Sequence, residues 1–586
     1  MFTRRDMLRL GLAGSAYALS PSKFGTNPYL FADGGGGLPP SPPTTPFLDP
    51  LPLPPPAQQV APFATRADYQ EFIDPAGLKT HYYQLVEEVR LVQLHSQLPP
   101  TSVWGYRDSN VANWPFVPGP TFHVNITDQP FNGNIVRHVN NLPAVANQRG
   151  FGLPRSTVHL HGGHHPAVSD GFPADNGVIN GVDFSQITFE SGGFFDYCYP
   201  MRSPGFRTTI DTTECPSTMW YHDHLLDFTG PNVYRGLAGF YLCFDSLDTG
   251  NENDTLPTAL RLPSGNFDIP MVLQDKILDA NGQLLFDTFQ HDGFLGDKFL
   301  VNGAIQPFFN VQRRKYRFRL LNGSNARIYQ MFLTDNNGKS YPMTQIATEG
   351  GLLSRPVPRP NGAMIGMAER IEVVIDFSQF PSSTTALYFE NRLNQTSGRG
   401  PGGDFNNPDL LSSGTRLLKF NLLPGAVPDP SQVPNVLRAF APISATEISK
   451  AVVRNFQFDR SDGGWVINGQ FVDLTRPLAS PSKSGAGEIW RLKNGGGGWW
   501  HPIHIHLEFG RVLKRNGTTP FGGGTGDHGQ SIEQDGVAKK DTYLLGPGDQ
   551  VDVFLRFRDY PGPYVFHCHN IEHEDMAMMA RFDVAP

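Results

Sequence analysis

Short runs of hydrophobic residues, separated by polar and turn-forming residues, begin near residue 80 and continue almost to the C-terminus. In "YYQLVEEVRLVQL" and "TFHVNITD" β-forming residues alternate or cluster between turns, and "RRKYRFRLLNGSN" and "RIEVVIDFS" repeat the pattern further along the chain. Long stretches of helical periodicity are hard to find. The pattern predicts an all-β protein.

Two polar, turn-rich stretches, "SLDTGNENDTLPTALRLPSG" and "PGAVPDPSQVPNV", divide the strand-like sequence into three blocks. They predict three β-sandwich or barrel domains at residues 63–247, 266–425 and 440–586. The proline- and glycine-rich stretch 21–62 is expected to be an extended linker or a wrapping arm. No short-period repeat is found, so any likeness among the blocks lies in their architecture.

Composition and charge narrow the possible function classes. The 62 glycines and 52 prolines fit many short strands joined by turns. The net charge of −8 is spread without a basic stripe, which argues against nucleic acid as the main partner. No run of eighteen apolar residues occurs, so no transmembrane helix is expected.

The N-terminus resembles an export signal. Residues 1–20, "MFTRRDMLRLGLAGSAYALS", place an arginine pair before a short apolar stretch and small residues suited to cleavage. The order predicts twin-arginine export of the folded protein to the periplasm or the exterior. The alternative is an ordinary basic start of a cytosolic protein.

Ten of the 18 histidines are candidate ligands and lie in four clusters: "TVHLHGGHH", "MWYHDHLLD", "WWHPIHIHLEF" and "YVFHCHNIEHEDMAMM". Each cluster contains a His-x-His pair, and a strand directs such a pair to one side. Four pairs then turn eight imidazoles toward a common centre, which suits three metal ions with open positions for oxygen ligands. The eight are His159, His161, His222, His224, His504, His506, His567 and His569.

Cys568 lies between two of these histidines, so its side chain is expected to face the opposite way and to bind a separate metal. His501, at an odd offset from His504, can also turn away, and His573 can approach after the strand ends. Two imidazoles, a thiolate and the thioether of Met578 make the blue-copper ligand set. Strand geometry places the two metal sites on the order of 10 Å apart, joined by covalent bonds that form a path for electrons.

Simpler interpretations account for the other histidines. One His-x-His pair alone is weak support for a metal site, and isolated histidines are most often structural or on the surface. His164 and His165 are assigned to the loop after the first pair, outside the metal site. The isolated group is His81, His95, His123, His138, His291 and His528. Structural zinc needs only four ligands per ion and gains nothing from the link through Cys568.

Taken in this order, the four clusters resemble those of the multicopper oxidases over nearly the whole chain. "WYHDH", "HPIHIH" and "HCHNIEHEDMAMM" are most similar to the branch of bacterial spore-coat laccase, bilirubin oxidase and phenoxazinone synthase. "HLHGGHHPAVSDGFP" and "VNGAIQPFFNVQRRKYRFRLLNGSNAR" point the same way. The resemblance implies three cupredoxin-like domains with Greek-key β-barrel or sandwich topology, the third carrying type 1 copper.

The resemblance also implies four copper ions and assigns their ligands. The implied sites are type 1 at His501, Cys568, His573 and Met578; type 2 at His159 and His504; and a type 3 pair at His161, His222, His224, His506, His567 and His569. Met578 stands ten residues after the cysteine, where the family places its axial ligand. A thioether there is expected to keep the type 1 potential below that of relatives with a non-coordinating residue.

Asp170 and Glu574 match acidic positions that this branch uses near its trinuclear centre, where they imply proton delivery. Reduction of O2 to water consumes four protons, so nearby carboxylates make chemical sense. The alternative for both is that they only orient the histidines.

The implied activity is that of a laccase-like oxidase of phenols, aromatic amines or bilirubin-type pigments. It couples one-electron oxidation of the donor to four-electron reduction of O2, with electrons passing through Cys568. A Mn(II) or Cu(I) oxidase is an alternative, although 12 methionines without a methionine-rich insertion disfavour Cu(I). A non-catalytic electron carrier leaves eight imidazoles unexplained, and the chain length disfavours a two-domain nitrite reductase.

Several features stay open at this level. Cys198 and Cys215 are near enough in sequence for a disulfide, and Cys243 suits a small buried side chain. "NGGGGWW" before His501 and "TTPFGGGTGDHGQS" after it are candidate rims of the donor site. A monomer is the expected state.

Overall fold

The computed structural model describes residues 38–147, 150–179, 181–517 and 538–586. Strands dominate these residues, which confirms the all-β prediction. The predicted export signal, the first part of the arm and the "TTPFGGGTGDHGQS" rim lie outside the described residues. Six larger sheets form three pairs that follow one another along the chain.

The first pair of sheets is formed before residue 245. Its strands are Thr80–Val92 (β1), Thr101–Asp108 (β2), Phe122–Asn125 (β3), Gly133–Asn140 (β4), Arg155–Ser156 (β5), Val158–His161 (β6), Val178–Ile179 (β7), Val182–Asp183 (β8), Phe189–Glu190 (β9), Phe194–Pro200 (β10), Thr218–Asp223 (β11) and Ala238–Phe244 (β12). The two sheets have the orders β10-β4-β1-β2 and β3-β12-β11-β6, and β5-β9 and β7-β8 form small ribbons.

The second pair is larger. Its strands are Asp268–Leu278 (β13), Leu284–Leu285 (β14), Lys298–Val301 (β15), Ala304–Ile305 (β16), Phe308–Arg313 (β17), Lys315–Asn322 (β18), Tyr329–Thr334 (β19), Ser340–Tyr341 (β20), Met343–Thr348 (β21), Gly351–Arg359 (β22), Ala363–Ile365 (β23), Arg370–Asp376 (β24), Ala386–Leu393 (β25) and Leu410–Ala426 (β26). The orders are β16-β15-β13-β18-β24-β21-β22, with β14 beside β13, and β17-β26-β25-β19-β20, with β23 beside β19.

The third pair completes the chain. Its strands are Val452–Ser461 (β27), Gly464–Ile467 (β28), Ser484–Asn494 (β29), His501–Ile505 (β30), Arg511–Arg515 (β31), Thr542–Leu545 (β32), Gln550–Arg558 (β33), Gly562–Cys568 (β34) and Met579–Val584 (β35). The orders are β28-β27-β29-β33-β31 and β32-β30-β34-β35.

A parallel pairing recurs near the start of each pair of sheets, in β1-β4, β13-β18 and β27-β29. Most other neighbours are antiparallel. Parallel neighbours need a crossover connection, so none of the three pairs of sheets is a simple meander. The three blocks thus share architecture without a sequence repeat.

Helices are short and lie between strands. The α-helices are Thr229–Arg235 (α1), Ala445–Lys450 (α2) and Ile571–Asp575 (α3). The 3-10 helices are Ala67–Tyr69, Val145–Asn147, Ala167–Ser169, Thr212–Glu214, Gly265–Phe267 and Phe377–Gln379. Helix α2 starts with a capping box between Ser444 and Glu447, as its sequence favours. No helix in the described ranges is long and apolar enough to cross a membrane.

The apolar core explains where the histidine clusters meet. One continuous cluster of buried residues includes Leu160 and Tyr221 of the first pair and Ile503 and Phe566 of the third. The second pair has its own core around Phe318. Because the first and last pairs share a core, β6, β11, β30 and β34 are brought close together although they are far apart in sequence.

Residues 38–62 run across two pairs of sheets in an extended conformation. Pro50 bridges to Phe308 in the second pair, and Pro56 bridges to Thr121 beside the first. The backbone N–H of Leu51 donates to the Phe308 carbonyl, and its side chain joins the second core.

Candidate metal centre

Four strands present the paired histidines at their ends. His159 and His161 belong to β6, whereas His222, His504 and His567 lie in β11, β30 and β34. Their partners follow at or just beyond the strand ends: His224, His506 and His569. Antiparallel register places His222 directly opposite His159, and His504 directly opposite His567. Cross-strand neighbours on one face are close enough to interact. Each of the two sheets therefore presents its histidines as a group on one face.

We call the eight paired histidines the histidine centre. Their ring nitrogens form three compact groups: His159, His161 and His504; His161, His222 and His569; and His224, His506 and His567. The Nε2 atoms of His159 and His504 are 3.3 Å apart. The Nε2 atom of His567 lies 3.2 Å from those of both His224 and His506. All eight side chains are buried.

Hydrogen bonds at the outer nitrogens fix how most of these rings are oriented. Carbonyl and carboxylate oxygens only accept, so the facing ring nitrogen must carry the proton. The Nδ1 atoms of His159, His222 and His504 donate to backbone carbonyls at 2.6, 2.8 and 2.9 Å. The Nδ1 atom of His506 donates to the Asp170 carboxylate at 2.7 Å. In each ring Nε2 is then unprotonated and directed inward.

Several buried ring nitrogens of the histidine centre have no protein partner, and bound metal ions would satisfy them. His222 Nε2, His161 Nδ1 and both ring nitrogens of His569 are buried without a hydrogen-bond partner. Burying a polar atom unpaired is costly, so a dense group of such atoms calls for a ligand. Borderline divalent ions with imidazole preference, copper among them, fit this donor set.

Burial favours the neutral form of five of these histidines, and the neutral form is the one that binds metal. It lowers the pKa of His224 and His569 to about 3. Burial, together with the neighbouring imidazoles, lowers the pKa of His161, His504 and His506 well below the ordinary value.

A second group, the cysteine cluster, consists of His501, Cys568 and His573. The sulfur of Cys568 lies 3.5 Å from His501 Nδ1 and 3.6 Å from His573 Nδ1, and the two Nδ1 atoms are 3.1 Å apart. The Nε2 atom of His573 donates to the Asp292 carbonyl at 3.3 Å, which leaves Nδ1 free to face the sulfur. Helix α3 carries His573 back over the strand end.

The backbone around Met578 ties it to the cysteine cluster. Its N–H donates to the His573 carbonyl at 2.9 Å, and its carbonyl accepts from the Cys568 N–H at 3.0 Å. The residue is fully buried. The Cys568 carbonyl in turn accepts from Nδ1 of His567 at 3.2 Å. Residues 567–569 therefore belong to both clusters: Cys568 faces one, and the histidines on either side face the other.

Both predicted carboxylates lie at the histidine centre. Asp170, fully buried, contacts His506 through Oδ2 and His159 through its backbone carbonyl. A Cβ atom at Gly171 would lie 2.4 Å from the Val158 carbonyl oxygen, so only glycine lets this loop approach β6 so closely.

Glu574, on helix α3, approaches the opposite side of the histidine centre. Its Oε2 lies 3.2 Å from His567 Nδ1, and its Oε1 lies 3.7 Å from His224 Nδ1. The Thr229 hydroxyl donates to Oε1 at 3.0 Å, which links the carboxylate to helix α1. The two acids thus contact different histidines of the same centre.

Asp541 is a third carboxylate at the centre, and it was not among the predicted site residues. Its Oδ1 lies 3.2 Å from His161 Nε2, and Arg370 of the second pair binds it through two N–H groups. A buried charge within "RIEVVIDF" was a usable signal for Arg370, because an arginine inside an apolar strand needs a partner. Nothing local in "KKDTYLL" indicates that Asp541 is that partner.

The outer edge of the cysteine cluster is lined by aromatic and charged side chains. Trp465 packs on His573 with ring centroids 3.8 Å apart and on His501 at 5.4 Å. The guanidinium of Arg399 lies 4.4 Å from the ring centroid of Trp499, and that of Arg460 lies 5.1 Å from it. Trp499, Trp465, Arg399, Arg460 and Asp292 form what we call the donor rim. Asp292 accepts a hydrogen bond from Arg460 at 3.0 Å.

The other described histidines and cysteines lie outside both clusters, and His528 lies outside the described residues. His164 contacts Asp559 at 3.0 Å, and His165 is buried beside Tyr199. The isolated histidines His81 and His95 bond to Gln59 and to the Thr45 carbonyl. Cys198, Cys215 and Cys243 are buried free thiols, so the disulfide left open between Cys198 and Cys215 is not formed.

Comparison with known proteins decides the family. A family profile described as multicopper oxidase matches residues 445–586. The chain is 34% identical over 543 residues to bilirubin oxidase of Albifimbria verrucaria, covering 92% of this chain and 81% of that protein. It is 30% identical over 579 residues to a laccase of Bacillus subtilis, covering 92% and 98%. The chain belongs to the multicopper oxidase family.

The fold of this multicopper oxidase agrees with a solved relative. McoA from Aquifex aeolicus superposes with a TM-score of 0.67 at 25% identity, covering 86% of this chain and 96% of that one. The predicted cupredoxin-like fold class is therefore confirmed. The protein is a laccase-like copper oxidoreductase that oxidises a reducing substrate with O2.

Proposed function

We propose that this oxidase holds four copper ions in the two clusters. The proposed ligands are His501, Cys568, His573 and Met578 for type 1; His159 and His504 for type 2; and His161, His222, His224, His506, His567 and His569 for the type 3 pair. The inward nitrogens described above and the group formed by His501, Cys568 and His573 support this assignment. Bound copper supplies one-electron redox chemistry, which connects single-electron donors to the four-electron reduction of O2 to water.

The single observation that carries the proposal is the position of Cys568. Its sulfur contacts His501 and His573, whereas its two neighbours in sequence, His567 and His569, face the histidine centre. Cys568 of the cysteine cluster is thus joined by a peptide bond to a histidine of the histidine centre on either side. That covalent link gives electrons a path from the donor side to the oxygen side.

The protons consumed at the histidine centre are proposed to come through Asp170 and Glu574. Each O2 needs four protons and four electrons to give two waters. Both carboxylates are buried and contact histidines of the centre. A carboxyl group placed next to the site can hold a proton and release it where it is consumed.

The donor is proposed to be a phenolic or other aromatic compound that docks on the donor rim. Trp465 packs on His501 and His573, the residues from which an electron would enter, and Trp499 packs on Trp465. Aromatic compounds pair favourably with aromatic side chains such as these. The names bilirubin oxidase and laccase of the relatives support this donor class over a metal ion.

Three further proposals rest on sequence. Residues 1–20 direct twin-arginine export, which the order of arginines, apolar stretch and small residues supports. Residues 63–247, 266–425 and 440–586 are three domains, which the grouping of sheets supports. The protein acts as a monomer.

The test combines copper analysis with oxygen uptake. The copper-loaded protein is expected to contain four copper ions per chain and to consume one O2 for every four equivalents of a phenolic donor. A panel with matched amounts of Mn(II) and Cu(I) is expected to show much slower uptake. Faster uptake with either metal ion than with every aromatic donor would contradict the proposed donor class.

A further inference from the structure

Asp541 contacts two histidines of the histidine centre at once. Its carboxylate Oδ1 lies 3.2 Å from Nε2 of His161 and accepts from the Thr542 hydroxyl at 2.8 Å. Its backbone carbonyl accepts from Nδ1 of His504 at 2.9 Å. Asp541 stands just before β32, so the third pair of sheets supplies this contact to a histidine of the first pair.

Arg370 fixes that carboxylate from the second pair of sheets. Its NH1 and NH2 atoms donate to the two oxygens of Asp541 at 2.9 and 2.6 Å. Its Nε donates to the Thr218 carbonyl at 3.0 Å, and NH1 also donates to the Ala368 carbonyl at 3.0 Å. The side chain is fully buried. A planar guanidinium held at both ends fixes the plane of the carboxylate.

The space around the pair allows little movement. Gly162, the residue after His161, has φ of +89°. A Cβ atom there would lie 2.7 Å from NH2 of Arg370 and 3.2 Å from Oδ2 of Asp541. The loop that follows β6 is therefore packed against the ion pair itself.

The hydrogen-bonding rules then decide which nitrogen of His161 carries the proton. A carboxylate held by an arginine only accepts, so the facing Nε2 of His161 carries the proton. Its Nδ1, which is buried without a partner, is left unprotonated and available to a metal ion. His161 is thus held in the opposite tautomer from His159, His504 and His506.

We propose that Arg370 is a positioning residue that acts through Asp541 to hold His161 in its Nδ1-ligating tautomer and to orient His504. This inference rests on the proposed copper sites and adds to them a role for the second pair of sheets, which supplies no copper ligand in the assignment above. Partners that orient metal ligands typically change metal affinity or activity by about 10- to 100-fold when removed.

The test compares R370Q with the matched variant R319Q. Arg319 is also fully buried at the boundary of the first two pairs and binds Asp268 through two N–H groups at 2.8 and 2.7 Å. Its remaining donors go to Ser217, Thr218 and Glu372 and not to Asp541. Both changes remove a buried guanidinium, but only R370Q removes one that acts on the histidine centre.

We expect R370Q to lose copper from the histidine centre at about 10- to 100-fold lower chelator concentration than the wild type. Its EPR signal from that centre changes, the visible band of the cysteine cluster does not, and kcat falls while KM for the donor stays constant. R319Q is expected to keep the wild-type EPR signal and copper retention. Wild-type EPR and copper retention in R370Q, or equal copper loss in R319Q, would overturn the inference.

If R370Q does not fold, R370K decides the question. Lysine keeps the charge but has no planar fork, so the EPR signal of the histidine centre is expected to differ from the wild type. A wild-type signal and wild-type copper retention in folded R370K would overturn the inference. Failure of the wild type itself to bind copper at the histidine centre would instead contradict the proposed function.

Discussion

The sulfur of Cys568 lies 3.5 Å from Nδ1 of His501, on the face of β34 opposite to that used by His567. Pairing between β30 and β34 aligns Cys568 with Ile503 and His567 with His504, so alternate residues of both strands serve different clusters. In the proposed function, one piece of sheet thereby separates electron entry from oxygen reduction while keeping them covalently joined.

Replacing Cys568 by serine should disconnect the two clusters. Serine keeps the strand but removes the sulfur, so we expect loss of the visible band while the histidine centre keeps its copper. Donor oxidation should fall by more than the about 10- to 100-fold typical of losing a group that only orients a ligand. Absorption spectra, copper counts and oxygen uptake measure these effects. A folded C568S protein with wild-type turnover would contradict the proposed electron path.

Replacing Asp170 by asparagine separates proton delivery from ligand orientation. The amide oxygen of asparagine can still accept from His506, so copper content should stay at the wild-type level. If Asp170 carries protons, kcat should fall by about 100-fold or more, and the loss should be smaller at acid pH, where solvent protons are abundant. The pH dependence of kcat is the measurement. A lower copper content with unchanged kcat per bound copper would indicate an orienting role instead.

The donor rim makes a prediction about KM. The ring of Trp499 lies beneath Arg399 with little of it exposed, and an aromatic pair contributes about 0.5–1.5 kcal/mol. W499A should therefore raise KM for phenolic donors by about 2- to 10-fold, with little change in copper spectra. R399Q is expected to alter KM in the same assay.

The matched control for R399Q is R416Q. Arg416 also lies over an aromatic ring, that of Tyr388 at 4.0 Å, but in the second pair of sheets. R416Q should leave KM for phenolic donors unchanged. Equal changes of KM in R399Q and R416Q would argue against docking at the rim.

Copper-free protein should lose stability as the pH falls below about 6.5, the ordinary pKa of histidine. Burial lowers the pKa of His224, His501 and His569 to about 3 in the folded state. Between these values the unfolded chain binds protons that the folded chain does not. For each histidine, the free energy of unfolding therefore falls by up to about 1.4 kcal/mol for each pH unit of acidification. Above pH 6.5 this contribution to stability is fully present.

Calorimetry of the copper-free protein between pH 7 and pH 4 measures that slope. Replacing His224, His501 and His569 with glutamine, which has no proton to gain in this range, should reduce it. An unchanged slope in the triple variant would show that other groups determine the acid sensitivity.

Much of the fold and of the site could be predicted from local sequence. Alternation with period two predicts strands, and it also predicts that His567 and His569 face one way and Cys568 the other. The four histidine clusters are strong signals because each is contained in a few residues. The structure places those clusters as this local geometry requires.

Contacts between distant segments could not be predicted in the same way. Arg370 and Asp541 are 171 residues apart, and Arg460 and Asp292 are 168 apart. Neither pair follows from periodicity, because only the packing of different sheet pairs brings them together. An arginine within an apolar strand predicts that a partner exists, but the sequence does not identify that partner. The free state of Cys198 and Cys215 likewise depends on where β10 and the start of β11 lie in space.

The most direct test of the central claim is an anaerobic titration of the copper-loaded wild-type protein with a phenolic donor, followed by addition of O2. We predict four copper ions per chain and a strong orange-red absorption band. The band should disappear as four electrons are taken up and return when O2 is admitted. A protein that binds copper but stays colourless, or whose band does not respond to O2 after reduction, would contradict the claim that Cys568 joins the two clusters.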